Sequence, residues 1–369
     1  MPELHIFSFF SGSGFLDLGF EQAGFIVDSV NEFSPSFQRA YRYAREQMGI
    51  AEPRFGYSRD IKDFLTKEGA KTLKHNIHTI REEDGLVGFI GGPPCPDFSV
   101  AGKQRGRDGD NGKLSQSYID VILAQKPDFF LFENVKGLWR TAKHRAFYEE
   151  LKTSLQPFYF LTDRLCNALE FGAPQDRDRI LLFGVKHSVS RRLHINIKQF
   201  NWNAHQEYNI DELKNNIQWP TAEPFAANIP TVCPEGIPIE LTAQYWFDRN
   251  DVIHHPNAND YFTPRAGLHR MQNVFEGDDS KKSYKRIHRW RYSPTVCYGN
   301  NEVHLHPYKE RRLSAAEAMA LQSLPMAFCL PADMSLSDKF KTIGNGVPYL
   351  LANGIARTIW DFFHQNEER

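Results

Sequence analysis

The feature that most constrains this chain is the alternation, through its first half, of short apolar runs with amphipathic or polar stretches. The runs Leu4–Phe10, Phe25–Asn31, Val87–Ile90, Phe129–Phe132, Phe158–Cys166 and Ile180–Val185 read as strands. Between them Phe15–Gln22, Ser36–Met48, Tyr118–Ala124 and Ala146–Leu155 read as helices. Such alternation predicts an α/β fold, a doubly wound and mostly parallel sheet with helices on both faces. Ligands of such sheets collect at the carboxyl ends of the strands. From about Lys186 the character changes. Residues 188–300 are rich in Asn, His, Pro and Trp, and Pro220, Pro224, Pro230, Pro234 and Pro238 break any long element. An irregular second domain of short strands and loops is expected there. Regularity returns at Arg312, and Val347–Phe363 carries a helical apolar stripe.

Composition sharpens the class. With 369 residues and 41% hydrophobic content the chain can bury a large core, which excludes disorder as the dominant state. Lys and Arg number 44 against 45 Asp and Glu, so a globally basic nucleic-acid binder is excluded. A polyanionic partner would have to be held by a local patch. The five cysteines, Cys95, Cys166, Cys233, Cys297 and Cys329, are dispersed, and no Cys-x-x-Cys pair supports zinc or redox chemistry. Free thiols fit a reducing compartment. The start Met-Pro-Glu-Leu-His has no signal-peptide regions, and no stretch reaches the length of a membrane span. A soluble cytoplasmic protein without a metal or a membrane partner is expected.

Five local signals carry chemistry. The first strand runs into Phe10-Ser11-Gly12-Ser13-Gly14-Phe15, where glycines let the backbone turn tightly beside a ligand. Glu32, twenty residues past Gly12 at the end of the next strand, is placed to accept from ribose hydroxyls. Asp17 stands where a dinucleotide fingerprint wants its third glycine, which points to a nucleoside cofactor without a diphosphate. An ordinary turn with a surface Glu is the competing reading. Second, Gly91-Gly92-Pro93-Pro94-Cys95 is a loop first permissive, then stiff, presenting Cys95 as a nucleophile rather than a small buried hydrophobe. Third, the glycine-rich, basic stretch from Phe98 to Lys113 fits a closing loop with Lys103, Arg105 and Arg107 towards phosphates, or else a solvated surface loop. Fourth, Glu133 follows four apolar residues. Partial burial would raise its pKa as a general acid requires, unless it is salt-bridged or capping a helix. Fifth, in Gln175-Asp176-Arg177-Asp178-Arg179 an extended chain points Gln175, Arg177 and Arg179 one way and the two Asp the other. Mutual Arg–Asp pairing at a surface is the alternative.

In this order the signals resemble the DNA (cytosine-5) methyltransferases. The resemblance rests on Gly91-Gly92-Pro93-Pro94-Cys95 with Phe98-Ser99, Glu133-Asn134-Val135, and Gln175-x-Arg177-x-Arg179. It continues in Arg312-Leu313-Ser314-Ala315-Ala316-Glu317 to Leu324-Pro325, and in Gly344-Asn345-Gly346-Val347. It covers nearly the whole chain except about 188–285.

The resemblance implies S-adenosyl-L-methionine as cofactor and double-stranded DNA as partner, with the target cytosine flipped out of the helix. Cys95 would add to C6, Glu133 would hold the N3/N4 edge and protonate N3, Arg179 would hold O2, and Arg177 would support them. Phe10, Gly12, Gly14, Glu32, Phe33, Asp60, Ile61, Pro94 and Asn345 would line the cofactor site, with Phe33 and Ile61 flanking the adenine. The Pro94 carbonyl would also face the exocyclic amine of the base. The implied catalytic domain is 1–187 plus 338–369, the last helix packing on the N-terminal sheet. Residues 188–337 would form the target-recognition domain, including a bridging helix at 314–324 opened by a Ser314–Glu317 capping box. Ser99, Lys103 and Arg105, with Lys282, Lys285, Arg286, Arg289 and Arg291 of a basic run interleaved with aromatics, would face DNA. Arg311 or Arg312 is a further candidate for phosphate.

Departures from the family's pattern are Pro96-Asp97, where a Gln commonly follows the Cys, and Phe15, where a second glycine is frequent. An RNA-directed relative would carry a Cys-Phe-Thr signature, which the sequence lacks, and a silent one would have lost Cys95 or Glu133. A nicotinamide oxidoreductase leaves the Gly-Gly-Pro-Pro-Cys block unexplained. The early first strand suggests a prokaryotic modification enzyme, monomeric, at work on the nucleoid and paired in function with a cognate restriction endonuclease.

Overall fold

A computed structural model describes residues 2–94, 110–263, 268–281, 283–296, 298 and 302–365. The strands are β1 (Leu4–Phe9), β2 (Ile26–Asn31), β3 (Tyr57–Ser58), β4 (Leu86–Gly91), β5 (Phe129–Val135), β6 (Tyr159–Asn167), β7 (Gln175–Asp176), β8 (Asp178–Lys186) and β9 (Ser293–Pro294). Those of the first half alternate with helices α1 (Phe15–Gln22), α2 (Pro35–Gln47), α3 (Lys67–Glu82), α4 (Asp110–Gln125), α5 (Gly137–Arg140) and α6 (Ala142–Leu155). The seven-stranded sheet has the order β3-β2-β1-β4-β5-β8-β6. Only β8 runs against its neighbours, and the other pairings are parallel. This is the mostly parallel α/β sheet that strand–helix alternation predicts. β1 and β4 are buried along their whole length, as strands covered on both faces must be.

Beyond β8 the chain forms α7 (His187–Leu193), α8 (Ile210–Asn215), α9 (Ala243–Arg249), α10 (Leu268–Gln272), α11 (Ala315–Leu321), α12 (Leu336–Asn345) and α13 (Tyr349–His364). The middle segment was expected to hold short strands. Among its described residues it holds short helices, and β9 is only a two-residue partner of β7. Prolines had marked the breaks without revealing the type of element between them. α11 opens with the expected capping box, Ser314 and Glu317 each bonding the other's backbone N–H.

α1 sits between two cores. Leu16 and Phe20 join the cluster that includes Leu351, Ile355 and Ile359 of α13, so the last helix does pack on the N-terminal sheet. Phe15 and Leu18 join a second cluster with Trp246, Met319 and Phe340. Among the described residues no helix is long and apolar enough to cross a membrane.

Candidate active site

The turn after β1 is built by backbone conformation. Phe10 takes a left-handed φ of 54°, unusual for a side chain of its size, and Gly14 follows at φ 81° as the N-cap of α1. A Cβ at Gly14 would lie 2.6 Å from Tyr41 Cδ2 and 2.5 Å from an Arg45 nitrogen. Arg45 reaches across from α2 and donates to the carbonyls of Ser13 (3.2 Å) and Gly14 (2.7 Å). It is itself held by Glu21 at 3.0 Å. Asp17, read as a missing glycine, is fully buried beneath the turn and accepts from Ser8 at 2.7 Å. Burial pushes its carboxyl up to about 6, against the pull of Arg45. Arg45 and Asp17 escaped sequence reasoning as site residues. A signal existed for Arg45: Phe37, Ala40, Tyr41, Ala44 and Arg45 fall on one helical face, so Arg45 lies on the buried side of α2.

The expected cofactor residues gather at the carboxyl ends of β1, β2 and β3. Glu32 accepts from the Gly12 N–H (2.8 Å) and the Ser34 N–H (2.7 Å), and burial raises its pKa against those bonds. Phe33 is 65% exposed, with the Arg59 guanidinium 5.7 Å over its ring. Asp60 caps the 3₁₀ turn Ile61–Leu65 by accepting from Lys62 N–H at 2.9 Å. Ile61, expected against the adenine, is buried in the core, so of the two flanking residues only Phe33 lies open. Asn345 is exposed at the end of α12, which is stitched to the turn by the Ser13–Thr342 hydroxyl pair at 2.7 Å.

At the next strand ends stands the second group. β4 gives way to Gly92-Pro93-Pro94, and the Pro93 carbonyl accepts from the Asn134 side chain at 3.4 Å. Pro94 is half-buried. Cys95, Ser99, Lys103 and Arg105 lie outside the described residues, as does Lys282. In the antiparallel register Glu133 faces Leu181 and Val135 faces Arg179. Glu133 and Arg179 are therefore diagonal neighbours on one face. They meet as an ion pair, Arg179 Nε 2.6 Å from Glu133 Oε1, with Glu133 only 7% exposed. Burial raises the Glu133 carboxyl, partly offset by the guanidiniums of Arg179 and Arg177.

Gln175, Arg177 and Arg179 are buried while Asp176 and Asp178 face outward, the alternation expected of an extended chain. The Asp residues bind Lys214 (2.8 Å) and Lys136 (2.7 Å) rather than the neighbouring arginines. Arg177 does not point at open space. It donates to the carbonyls of Val296 (2.8 Å) and Gly344 (2.6 Å), tying three distant segments together.

The basic run of the middle segment requires a correction. Arg286 is 0% exposed and donates to the carbonyls of Val274 (2.9 Å), Met271 (2.6 Å) and His306. Arg289 is buried against Glu276 at 2.7 Å and the Ile229 carbonyl at 2.6 Å. Neither is a DNA-facing side chain. In loops with few ladder bonds, buried carbonyls need donors, and a guanidinium supplies five. Arg311 is likewise bound to Glu317 (2.7 Å), and buried Arg312 donates to the Val303 carbonyl. Lys285 and Arg291 remain half-exposed.

Comparison with known proteins agrees with this geometry. The family described as C-5 cytosine-specific DNA methylase matches residues 4–361. Type II methyltransferase M.NmeDI of Neisseria meningitidis serogroup C is 55% identical over 99% of this chain and 85% of its own length. Type II methyltransferase M.FnuDI of Fusobacterium nucleatum is 29% identical over 97% of this chain and 96% of its own. Among solved structures, a chain assigned as a DNA modification methyltransferase encoded within an E. coli prophage superposes with a TM-score of 0.67 at 21% identity. That match covers 98% of this chain and all of the other, and at such identity it speaks for the fold alone. A family match running from the first strand into the last helix, joined by a relative identical at more than half of the aligned positions, leaves one assignment: the chain belongs to the C-5 cytosine-specific DNA methylases and is a DNA methyltransferase.

Proposed function

We propose that this enzyme methylates C5 of a cytosine flipped out of duplex DNA, using S-adenosyl-L-methionine. The observation that carries the site assignment is the buried Glu133–Arg179 pair beside the Gly92–Pro94 loop. A carboxyl raised by burial retains a proton nearer neutrality and can deliver it to N3, while Arg179 holds O2. Cys95, assigned by its Gly-Gly-Pro-Pro-Cys setting, adds through its thiolate to C6. That addition, with proton delivery at N3, turns C5 into an enamine carbon able to take a methyl group. Loss of the C5 proton to a base, with the N3 proton returning to Glu133, then expels the thiolate and restores the aromatic ring. The bound cofactor supplies the electrophilic methyl group.

The residues fit such a cofactor. The Gly12–Gly14 turn gives close backbone approach, Glu32 is a carboxylate anchored at that turn, and Phe33 offers an open aromatic face. Asp60 and Asn345 stand at the same edge, while Ile61 supports the wall from beneath. Residues 188–337 are assigned to target recognition, with half-exposed Lys285 and Arg291 among the charges placed to reach phosphate. The Type II names of the relatives support a modification role opposite a restriction endonuclease.

Bisulfite sequencing of DNA from cells expressing the protein tests the reaction. Protected cytosines in one sequence context are expected with the wild type and none with Cys95→Ala, which should still bind DNA. Full methylation by that variant would overturn the mechanism.

A further inference from the structure

With Arg286 and Arg289 buried, the exposed positive charge of this nearly neutral chain must be sought elsewhere. Among the described residues, one cluster of it lies on α3. Lys67, Lys71, Lys74, His78 and Arg81 recur at i, i+4, i+7, i+11 and i+14, so they form one stripe along the helix. Leu73, Ile77 and Ile80 are buried on a separate face about a third of a turn away. Lys67, Lys71 and Lys74 are exposed, and among the described residues no carboxylate pairs with them. The acidic neighbours sit at the margins. Glu68 flanks the first turn, Glu82 meets His78 at 3.3 Å, and Asp128 holds Arg81 at 3.0 Å.

The surface is a shallow groove of about 410 Å³ lined by Lys71, Lys74, His75, His78 and Arg81. No apolar side chain lines it. A protein interface would need an apolar or aromatic anchor, and a membrane surface would need insertable groups. A phosphodiester backbone needs only point charges. The placement fits as well. α3 begins just past Asp60 and the 3₁₀ turn, at the carboxyl edge of the sheet where Glu133 and Arg179 stand. It ends where Arg81 grips Asp128, ahead of β5 at the opposite edge. The stripe thus descends from the rim of the catalytic cleft down one flank for about 21 Å.

We infer that the outward face of α3 is a second, sequence-independent contact for the DNA backbone, taken by duplex beyond the stretch held over Glu133 and Arg179. It rests on the assignment of duplex DNA as substrate. Such a contact adds affinity for long DNA without reading bases, and lets the enzyme remain on DNA between targets.

The test replaces Lys67, Lys71 and Lys74 together by Gln, exposed changes that keep helix propensity. Binding to a long duplex lacking the target is followed against salt. The slope of log affinity on log salt should fall by about 2 to 3, given about 0.9 per phosphate contact. Methylation of a target-bearing duplex of about one helical turn, confined to the cleft, should keep its kcat/KM. Replacement by Arg at the three positions should restore the slope. An unchanged slope on long DNA, as expected if the stripe serves an acidic protein instead, overturns the inference. So does an equal loss on the short duplex. Absence of methylation by the wild type would instead strike the functional assignment itself.

Discussion

At the scale of single residues, Asp17 shows how the Gly12–Gly14 turn is held and at what cost. It lies between β1 and α2 with Ser8, Tyr41 and Arg45 around it, and Glu21 one turn further along its own helix. Its folded pKa of about 6 stands above the ordinary 3.8 because burial disfavours the charge. Below pH 3.8 both folded and unfolded forms carry the proton, and the group is neutral in the balance. Between 3.8 and about 6 the unfolded chain ionises first, so stability falls as pH rises, by about 3 kcal/mol in all. Urea unfolding at pH 4 and pH 7.5 should show this loss in the wild type and a smaller one in Asp17→Asn. An identical pH dependence in both would refute the assignment. Glu133 and Arg179 were legible in the sequence because a carboxylate after an apolar strand and alternating arginines leave a local pattern. Arg286 and Arg289 misled because a run of cations looks the same whether it meets water or buried carbonyls. What separates the cases is a partner such as Met271 or Glu276, set by the fold and not by the neighbouring letters.

Among elements, a close packing contact against main chain is made where α1 crosses α13. A Cβ on Gly19 would lie 2.6 Å from both Ala352 Cβ and the Asn353 backbone nitrogen. Asn353 also donates its side chain to the Gly19 carbonyl at 3.1 Å. Helix propensity alone would favour Gly19→Ala by about 1 kcal/mol. Overpacking against backbone costs about 1–3 kcal/mol. Because a main-chain nitrogen cannot rotate away, the second effect should win, and Gly19→Ala should lower stability by up to about 2 kcal/mol in denaturant titration. A stabilised variant would show that the helices part more easily than their contact implies. α1 and α13 were both readable from their apolar stripes. α3 was not, since only Leu73, Ile77 and Ile80 mark its buried face amid polar residues. α12 hid in the same way, with Phe340 and Ile343 as its apolar anchors.

For the whole molecule, α1 makes two of the three large cores interdependent. Phe15 and Leu18 belong to one, Leu16 and Phe20 to the other, so neither core can melt without stripping a face from the same helix. Calorimetry should therefore record a single cooperative transition, and two resolved peaks would contradict this coupling. The mostly parallel sheet was implicit in the alternation of elements, but its strand order and the joining of remote segments were not, because no local pattern records contacts made across most of the chain. Arg177 is the clearest example, binding carbonyls 119 and 167 residues downstream. That tether has a consequence for biosynthesis. A growing chain emerges from its N-terminus and folds as units become complete. The Arg177 guanidinium lacks its Gly344 carbonyl until residue 344 has left the ribosome, so a fragment released early could hold Glu133 beside Arg179 through the β5–β8 ladder but would lack the tie from that ladder to the C-terminal segment. The buried pair and the tie that locks it to α12 are therefore acquired at different stages of synthesis.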